Sequence, residues 1–270
     1  MSLADTFGRV KSGVFHIVYL DSANNRLSSG SAFATCGYLV TNHHVFLGPA
    51  NSRVWIRREG QNDPGQGVIM PCNDFMRRLR SGSDINNFDF AVMDFPEIVA
   101  AEGVHNFTLR SPVAFRPGDQ IAFAGYPFEH DNLTIHGGMI SSFYSSGPAQ
   151  IVQLDASVNA SNSGGPMFDV ETGEAIGMIT RKATGLTRAF HGFRETLLGN
   201  IQMLTQARQG GGRILIGGVD PGEVALVSQR QMLVTLSEIE RQANVGIGYA
   251  FSADHLINDN VIHAAIEQTT

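Results

Sequence analysis

The segment Ser161-Asn162-Ser163-Gly164-Gly165-Pro166 carries the residue types of a nucleophile loop. A serine attacks well from an exposed, sharply turned backbone, with Oγ toward the substrate and nearby amides toward the developing oxyanion. Two glycines directly after Ser163 permit that turn and leave room for a bound chain. The same residues also serve as an ordinary turn. A second segment, Leu39-Val40-Thr41-Asn42-His43-His44-Val45, puts histidines just past an apolar run, where a strand end can hold a general base rigidly. Idle, solvated histidines are the alternative, since the chain has nine. Metal binding is assigned no residues: adjacent side chains diverge on extended backbone, and no further His or Cys has ligand spacing. A third segment, Phe88-Asp89-Phe90-Ala91-Val92-Met93, sets an acid in an apolar strand. Burial there demands a partner, and an imidazole to be oriented is one. An acid exposed at the strand's start is the other reading. Asp84 and Asp94 are its rivals, with Asp94 facing the opposite side of the strand from Asp89.

The elements around these groups read as a β-rich body, which suits a barrel or sandwich. The first 180 or so residues show no internal repeat and read as short strands between Gly, Pro, Asn, Asp and Ser clusters. The expected strands are Val14–Asp21, Ser31–Val40, Arg53–Arg57, Phe88–Asp94, Gln120–Tyr126, Leu133–Phe143, Ile151–Asp155 and Ala175–Thr180. Pro112–Asp119 reads as a linker between two sheet systems. The texture then turns helical: Leu197, Leu198, Ile201 and Leu204 recur at helical spacing, as do Met232, Leu233, Leu236 and Ile239. Gly210–Gly212 and Gly217–Gly218 punctuate the space between. Gly246–Phe251 returns to strand, and Ser252 is placed to cap a final helix over Ala253–Glu267. The reading is an all-β core, a mostly helical insertion over about 182–245, and a C-terminal helix over 253–270.

Composition removes other classes. The 270 residues carry a formal charge of −6 with 43% hydrophobic and 16% charged residues, which argues against a broad basic face for nucleic acid. No apolar run approaches the roughly 18–20 residues of a membrane span. Val14–Leu20 is interrupted by His16 and lacks a basic leader, so it reads as a strand rather than a signal segment. Cys36 and Cys72 read as two buried free thiols, with a single bridge the alternative. A cytoplasmic location is expected if the chain is full length, and a periplasmic or secreted one if a signal was removed.

His44, Asp89 and Ser163 follow one another in the chymotrypsin order. With them, Thr41-Asn42-His43-His44-Val45, Asp89-Phe90-Ala91-Val92, Gly118 to Phe128, Asp155 to Pro166, Glu174-Ala175-Ile176-Gly177-Met178 and Gly246-Ile247-Gly248-Tyr249-Ala250 fall in one family's order. The sequence resembles the trypsin-like serine peptidases, in their HtrA-like branch. The resemblance implies two six-stranded Greek-key β-barrels of the chymotrypsin-like kind, over about 10–111 and about 118–252, with the active site between them. It implies His44 as general base, Asp89 as its orienter and Ser163 as nucleophile. The amides of Ser161 and Ser163 would form the oxyanion hole. Ser157 would lie at the base of the primary pocket, where an uncharged residue suits a small or medium apolar side chain before the cut. His43 is given no role.

Two departures from the family stand out. Ser161 occupies a position where glycine is usual, and a side chain at positive φ costs about 1–2 kcal/mol. Either that cost is met or the loop rests with its amide turned away. Only about twenty residues follow the last expected barrel strand, so no PDZ domain is expected there, unlike the typical HtrA architecture. The resemblance implies a serine endopeptidase acting through an acyl-enzyme on exposed or unfolded polypeptides, without cofactor, nucleic acid or membrane. The alternative is a catalytically silent trypsin-fold protein that binds peptides or partners. For the insertion, a lid, a regulatory contact, a homo-oligomer interface and a plain surface decoration are all open.

Overall fold

The computed structural model describes residues 2–63, 65–127, 130–182, 188–209, 215–242 and 246–268. It divides into one unit of residues 1–183 with 246–270 and a second of residues 184–245. The first unit holds two sheet systems. Strands β1 (Val14–Leu20), β2 (Arg26–Thr35), β3 (Tyr38–Thr41), β4 (Arg53–Arg57), β5 (Val68–Pro71), β6 (Leu79–Ser83) and β7 (Phe90–Met93) form a sheet in the order β5-β4-β1-β2-β3-β7-β6. Strands β8 (Gln120–Gly125), β9 (Thr134–Ser146), β10 (Ala149–Asp155), β11 (Pro166–Asp169), β12 (Ala175–Lys182) and β13 (Ile247–Ser252) close a barrel in the order β10-β13-β12-β11-β8-β9.

The closed six-stranded barrel is the one expected. The first system is a seven-stranded half-barrel: its edge strands β5 and β6 are half-exposed to exposed, and each pairs on one side only. β1, by contrast, is buried at all seven positions and pairs on both sides, with β2 and β4. One apolar cluster, with Phe15, Ile17, Phe75 and Phe95, fills the half-barrel. A second, with Ile121, Phe123, Val152 and Met167, fills the closed barrel. A third, with Phe33, Val40, Val92, Phe107 and Phe168, joins the two systems and so fixes the cleft between them.

Local differences from the sequence expectations have local causes. Ser31–Val40 is not one strand: β2 and β3 are separated at Cys36–Gly37, where both residues are left-handed, as a tight hairpin turn requires. Cys36 is half-buried and Cys72 buried, and both are free thiols. The expected final helix is two: Ser252 Oγ accepts from the Asp254 amide at 3.1 Å and starts Asp254–Ile257. Asp259 then caps Asn260–Glu267 through the Val261 and Ile262 amides, so the helix restarts rather than runs through.

In the second unit, helices Arg188–Gln209 and Pro221–Gln242 form an antiparallel hairpin. Asn200 Nδ2 donates to Gln229 Oε1 at 3.3 Å, and Arg208 pairs with Glu223 at 2.7 Å. Leu197, Leu226 and Leu236 are buried, while Leu198, Met232 and Ile239 are exposed. Gly210–Gly212 fall outside the described residues. The hairpin is inserted between β12 and β13, whose partnered residues include Lys182 and Gly248.

Candidate active site

Thr41 ends β3 against Ala91 of β7, and the chain turns at Asn42 into a single helical turn, His43–Phe46. The Asn42 side chain does not cap this turn. Its Nδ2 donates instead to the Asp89 carbonyl at 2.9 Å, and the His43 amide donates to the same oxygen at 3.2 Å. From below, the buried Tyr19 hydroxyl reaches the Val45 and Phe46 carbonyls, each at 2.8 Å. The turn that carries His44 is thus tied to β1 and to the segment before β7.

Asp89 precedes β7 rather than lying within it. It is left-handed at φ 47° and almost completely buried, with a side-chain exposure of 2%. That conformation carries its carboxylate to His44. Oδ2 lies 2.7 Å from His44 Nδ1, and Oδ1 accepts the His44 backbone amide at 3.0 Å. An ionised carboxylate only accepts, so Nδ1 carries the proton and Nε2 is left as the basic nitrogen. Thr180 Oγ1, on β12, adds a third donor to the carboxylate, at 3.2 Å from Oδ2. The rival acids are engaged elsewhere: Asp94 pairs with Arg80, and Asp84 accepts from the Asn86 amide in a turn.

Ser163 shares a cleft of about 420 Å³ with His44, Ser161, Ser29 and Leu47. Its Oγ donates to the Thr180 carbonyl at 2.7 Å. The loop that carries it is held by its amides and carbonyls: Gly164 N donates to Ile179 O at 2.8 Å, and Ser31 N donates to Ser163 O at 2.9 Å. Gly164 has φ 85°, and a Cβ there would overlap the Ser31 carbonyl oxygen and Thr41 Oγ1. Glycine is required at that position by both conformation and space. Ser161 adopts φ 71°. Among the described residues, neither the Ser161 amide nor the Ser163 amide donates to a protein acceptor. Ser157 is exposed and does not line the cleft that holds His44 and Ser163. Residues 183–187 and 243–245, next to the strands expected to wall the primary pocket, fall outside the described residues.

Sequence reasoning missed Thr180, Asn42, Ser29 and Ser31. Thr180 had a signal: it follows Ala175-Ile176-Gly177-Met178-Ile179, and a hydroxyl buried in such an apolar strand needs a partner.

A family model described as trypsin-like peptidase domain matches residues 28–178, more than half of the chain. The chain belongs to the trypsin-like peptidase domain family. This trypsin-like domain is 30% identical over 159 residues to a protein of Halomonas elongata named probable periplasmic serine endoprotease DegP-like; the match covers 56% of this chain and 28% of that protein. It is 28% identical over 199 residues to serine protease HTRA3 of Homo sapiens, covering 67% of this chain and 40% of that one. The chain therefore spans well under half the length of these relatives. Among solved structures, the HtrA-type protease AlgW with a tripeptide matches with a TM-score of 0.59 at 20% identity, covering 100% of this chain and 65% of that one. That likeness is one of fold.

Proposed function

We propose that this trypsin-like domain is a serine endopeptidase that cleaves exposed or unfolded polypeptides through an acyl-enzyme. The observation that carries the reading is the 2.7 Å contact between His44 Nδ1 and Asp89 Oδ2, in a cleft shared with Ser163. Asp89 sets the tautomer and plane of the imidazole and stabilises the imidazolium that forms. For reaction, Ser163 Oγ turns from the Thr180 carbonyl to His44 Nε2, gives up its proton there, and bonds to the scissile carbonyl carbon. The carbonyl oxygen becomes the oxyanion, received by the Ser161 and Ser163 amides. His44 passes the proton to the departing amine as the C–N bond breaks. Water then repeats the sequence on the ester, with His44 again as base, and frees Ser163. The peptide in the AlgW structure supports a polypeptide as the ligand class.

The Ser163 hydroxyl bond to Thr180 favours a second reading, a silent trypsin-fold protein that binds peptides. A fluorophosphonate probe separates the two. We expect stoichiometric labelling of the parent protein and none of Ser163→Ala; an unlabelled, inactive parent would establish the silent reading.

A further inference from the structure

Ser161 is held at φ 71°, a conformation that disfavours a side chain, so the surroundings must stabilise it. Two hydroxyls from β2 reach it. Ser29 Oγ donates to Ser161 Oγ at 3.1 Å, and Ser31 Oγ donates to the Ser161 carbonyl at 2.8 Å. Ser31 is fully buried and engaged on every side. Its hydroxyl accepts the Tyr126 amide at 3.0 Å, its amide donates to the Ser163 carbonyl, and its carbonyl accepts Thr41 Oγ1 at 2.6 Å. Between the two serines, a Cβ on Gly30 would run into the methyls of Val45, so β2 lies directly against the turn that carries His44. Three consecutive residues, Ser29-Gly30-Ser31, therefore touch Ser161, Ser163 and the residue next to His44.

We propose that Ser29 and Ser31 are positioning residues that hold Ser161 left-handed and thereby aim the amides of the oxyanion site. With the Ser161 carbonyl tied to β2, a change of φ to negative values would swing the Ser161 N–H and leave the carbonyl in place. The Ser31 hydroxyl fixes the carbonyl end of that rotation. The Ser29–Ser161 hydroxyl pair holds the side chain, and its bond offsets part of the conformational penalty that glycine would not have. The serine at 161 is thus matched by a hydroxyl on β2, in the other sheet system. This inference rests on the peptidase reading, because positioning is defined by the oxyanion it serves.

The test compares the parent with Ser29→Ala, Ser31→Ala, Ser29→Thr, Ser161→Gly and the double variant Ser29→Ala with Ser161→Gly. The readouts are the rate of fluorophosphonate labelling, kcat and KM on a quenched-fluorescent unfolded polypeptide, Tm, and amide hydrogen exchange across residues 161–165. Losing one oxyanion donor costs about 10²–10³ in rate, so Ser31→Ala should lower kcat and labelling by about 10² with KM nearly unchanged. Ser29→Ala should lower them by about 5-fold, the worth of one net hydrogen bond, and Ser29→Thr should restore them. In the Ser161→Gly background the Ser29→Ala change should have no further effect, because its partner is gone. Exchange across residues 161–165 should quicken in both alanine variants. Lower Tm with unchanged kcat would assign the serines to stitching the barrels and overturn the proposal. Should Ser31→Ala fail to fold, the half-buried Ser29 series decides the matter. A parent that neither labels nor cleaves sinks the peptidase reading instead, and the exchange arm still decides whether the clamp exists.

Discussion

Asp89→Asn tests the site with little change of shape. In the folded protein the Asp89 carboxylate faces three donors: the His44 amide on Oδ1, and His44 Nδ1–H with the Thr180 hydroxyl on Oδ2. An asparagine must turn its NH₂ toward one of these sets. On the Oδ1 side it meets a backbone N–H that cannot accept. On the Oδ2 side the Thr180 hydroxyl can rotate to accept, and His44 can accept if its proton moves to Nε2. The second arrangement is the less costly, and it leaves Nε2 protonated and unable to take the Ser163 proton. The expected loss is about 10⁴ in kcat, which corresponds to about 5.4 kcal/mol of transition-state stabilisation. The fold should lose less, about 1–3 kcal/mol for one misdirected buried donor. Steady-state kinetics on an unfolded polypeptide, with urea unfolding of the same preparation, separates the two quantities. A kcat loss below about 10-fold in a folded variant would refute the tautomer argument and with it the role given to Asp89.

Other expectations follow from single contacts. Thr180→Val keeps the carbonyl and the side-chain shape but removes the hydroxyl that donates to Asp89; stability should fall by about 1.5–3 kcal/mol in chemical denaturation, and an unchanged kcat would make that hydroxyl purely structural. Gly164→Ala adds a Cβ where φ is 85° and where it would overlap two oxygens. It should cost more than about 4 kcal/mol, and a Tm within a few degrees of the parent would contradict the described loop. His16 is fully buried, and burial, reinforced by Arg57 beside it, holds its imidazole well below the ordinary value. The folded form therefore stays neutral while the unfolded chain takes up a proton below about pH 6.5. Stability should be fully present above that pH and fall by about 1.4 kcal/mol per unit beneath it. His105, His136 and His255 are shifted in the same direction by burial, so His16→Asn should flatten the slope in part. An identical slope in that variant would exclude His16 as a source.

What the sequence revealed and what it hid differ in range. His44 and Ser163 sit in short runs whose residue types made them candidates, each with a plainer reading beside it, and the apolar strand after Asp89 pointed to a buried acid. The left-handed turn of Asp89 was not readable, because Phe88-Asp89-Phe90-Ala91 reads as the start of a strand, with no glycine to mark the bend. Ala32-Phe33-Ala34 and Leu39-Val40 are buried on both faces, so their pattern lacks the alternation that would have revealed a hairpin at Cys36–Gly37. β5 is uniformly apolar over four residues and β6 is mostly polar over five, so neither edge strand carries an alternating signal. Ser31 shows the limit most clearly. Its hydroxyl partners lie 95 and 130 residues away, and no window of local sequence holds that relation.

The antiparallel helices between β12 and β13 bear on the order of folding. Pairing Lys182 with Gly248 through a flexible connection of roughly 60 residues costs about 2–3 kcal/mol more loop-closure entropy than a tight hairpin would. The two helices make contacts that are close in sequence and should form early. Once Asn200 meets Gln229 and Arg208 meets Glu223, the chain near Arg188 and the chain near Gln242 are already neighbours. Most of the connection is then withdrawn from the entropy of closure, and the last barrel strand has only a short search to its partner. On this account, substitutions that melt the helices should slow closure of the barrel and leave its unfolding rate almost untouched.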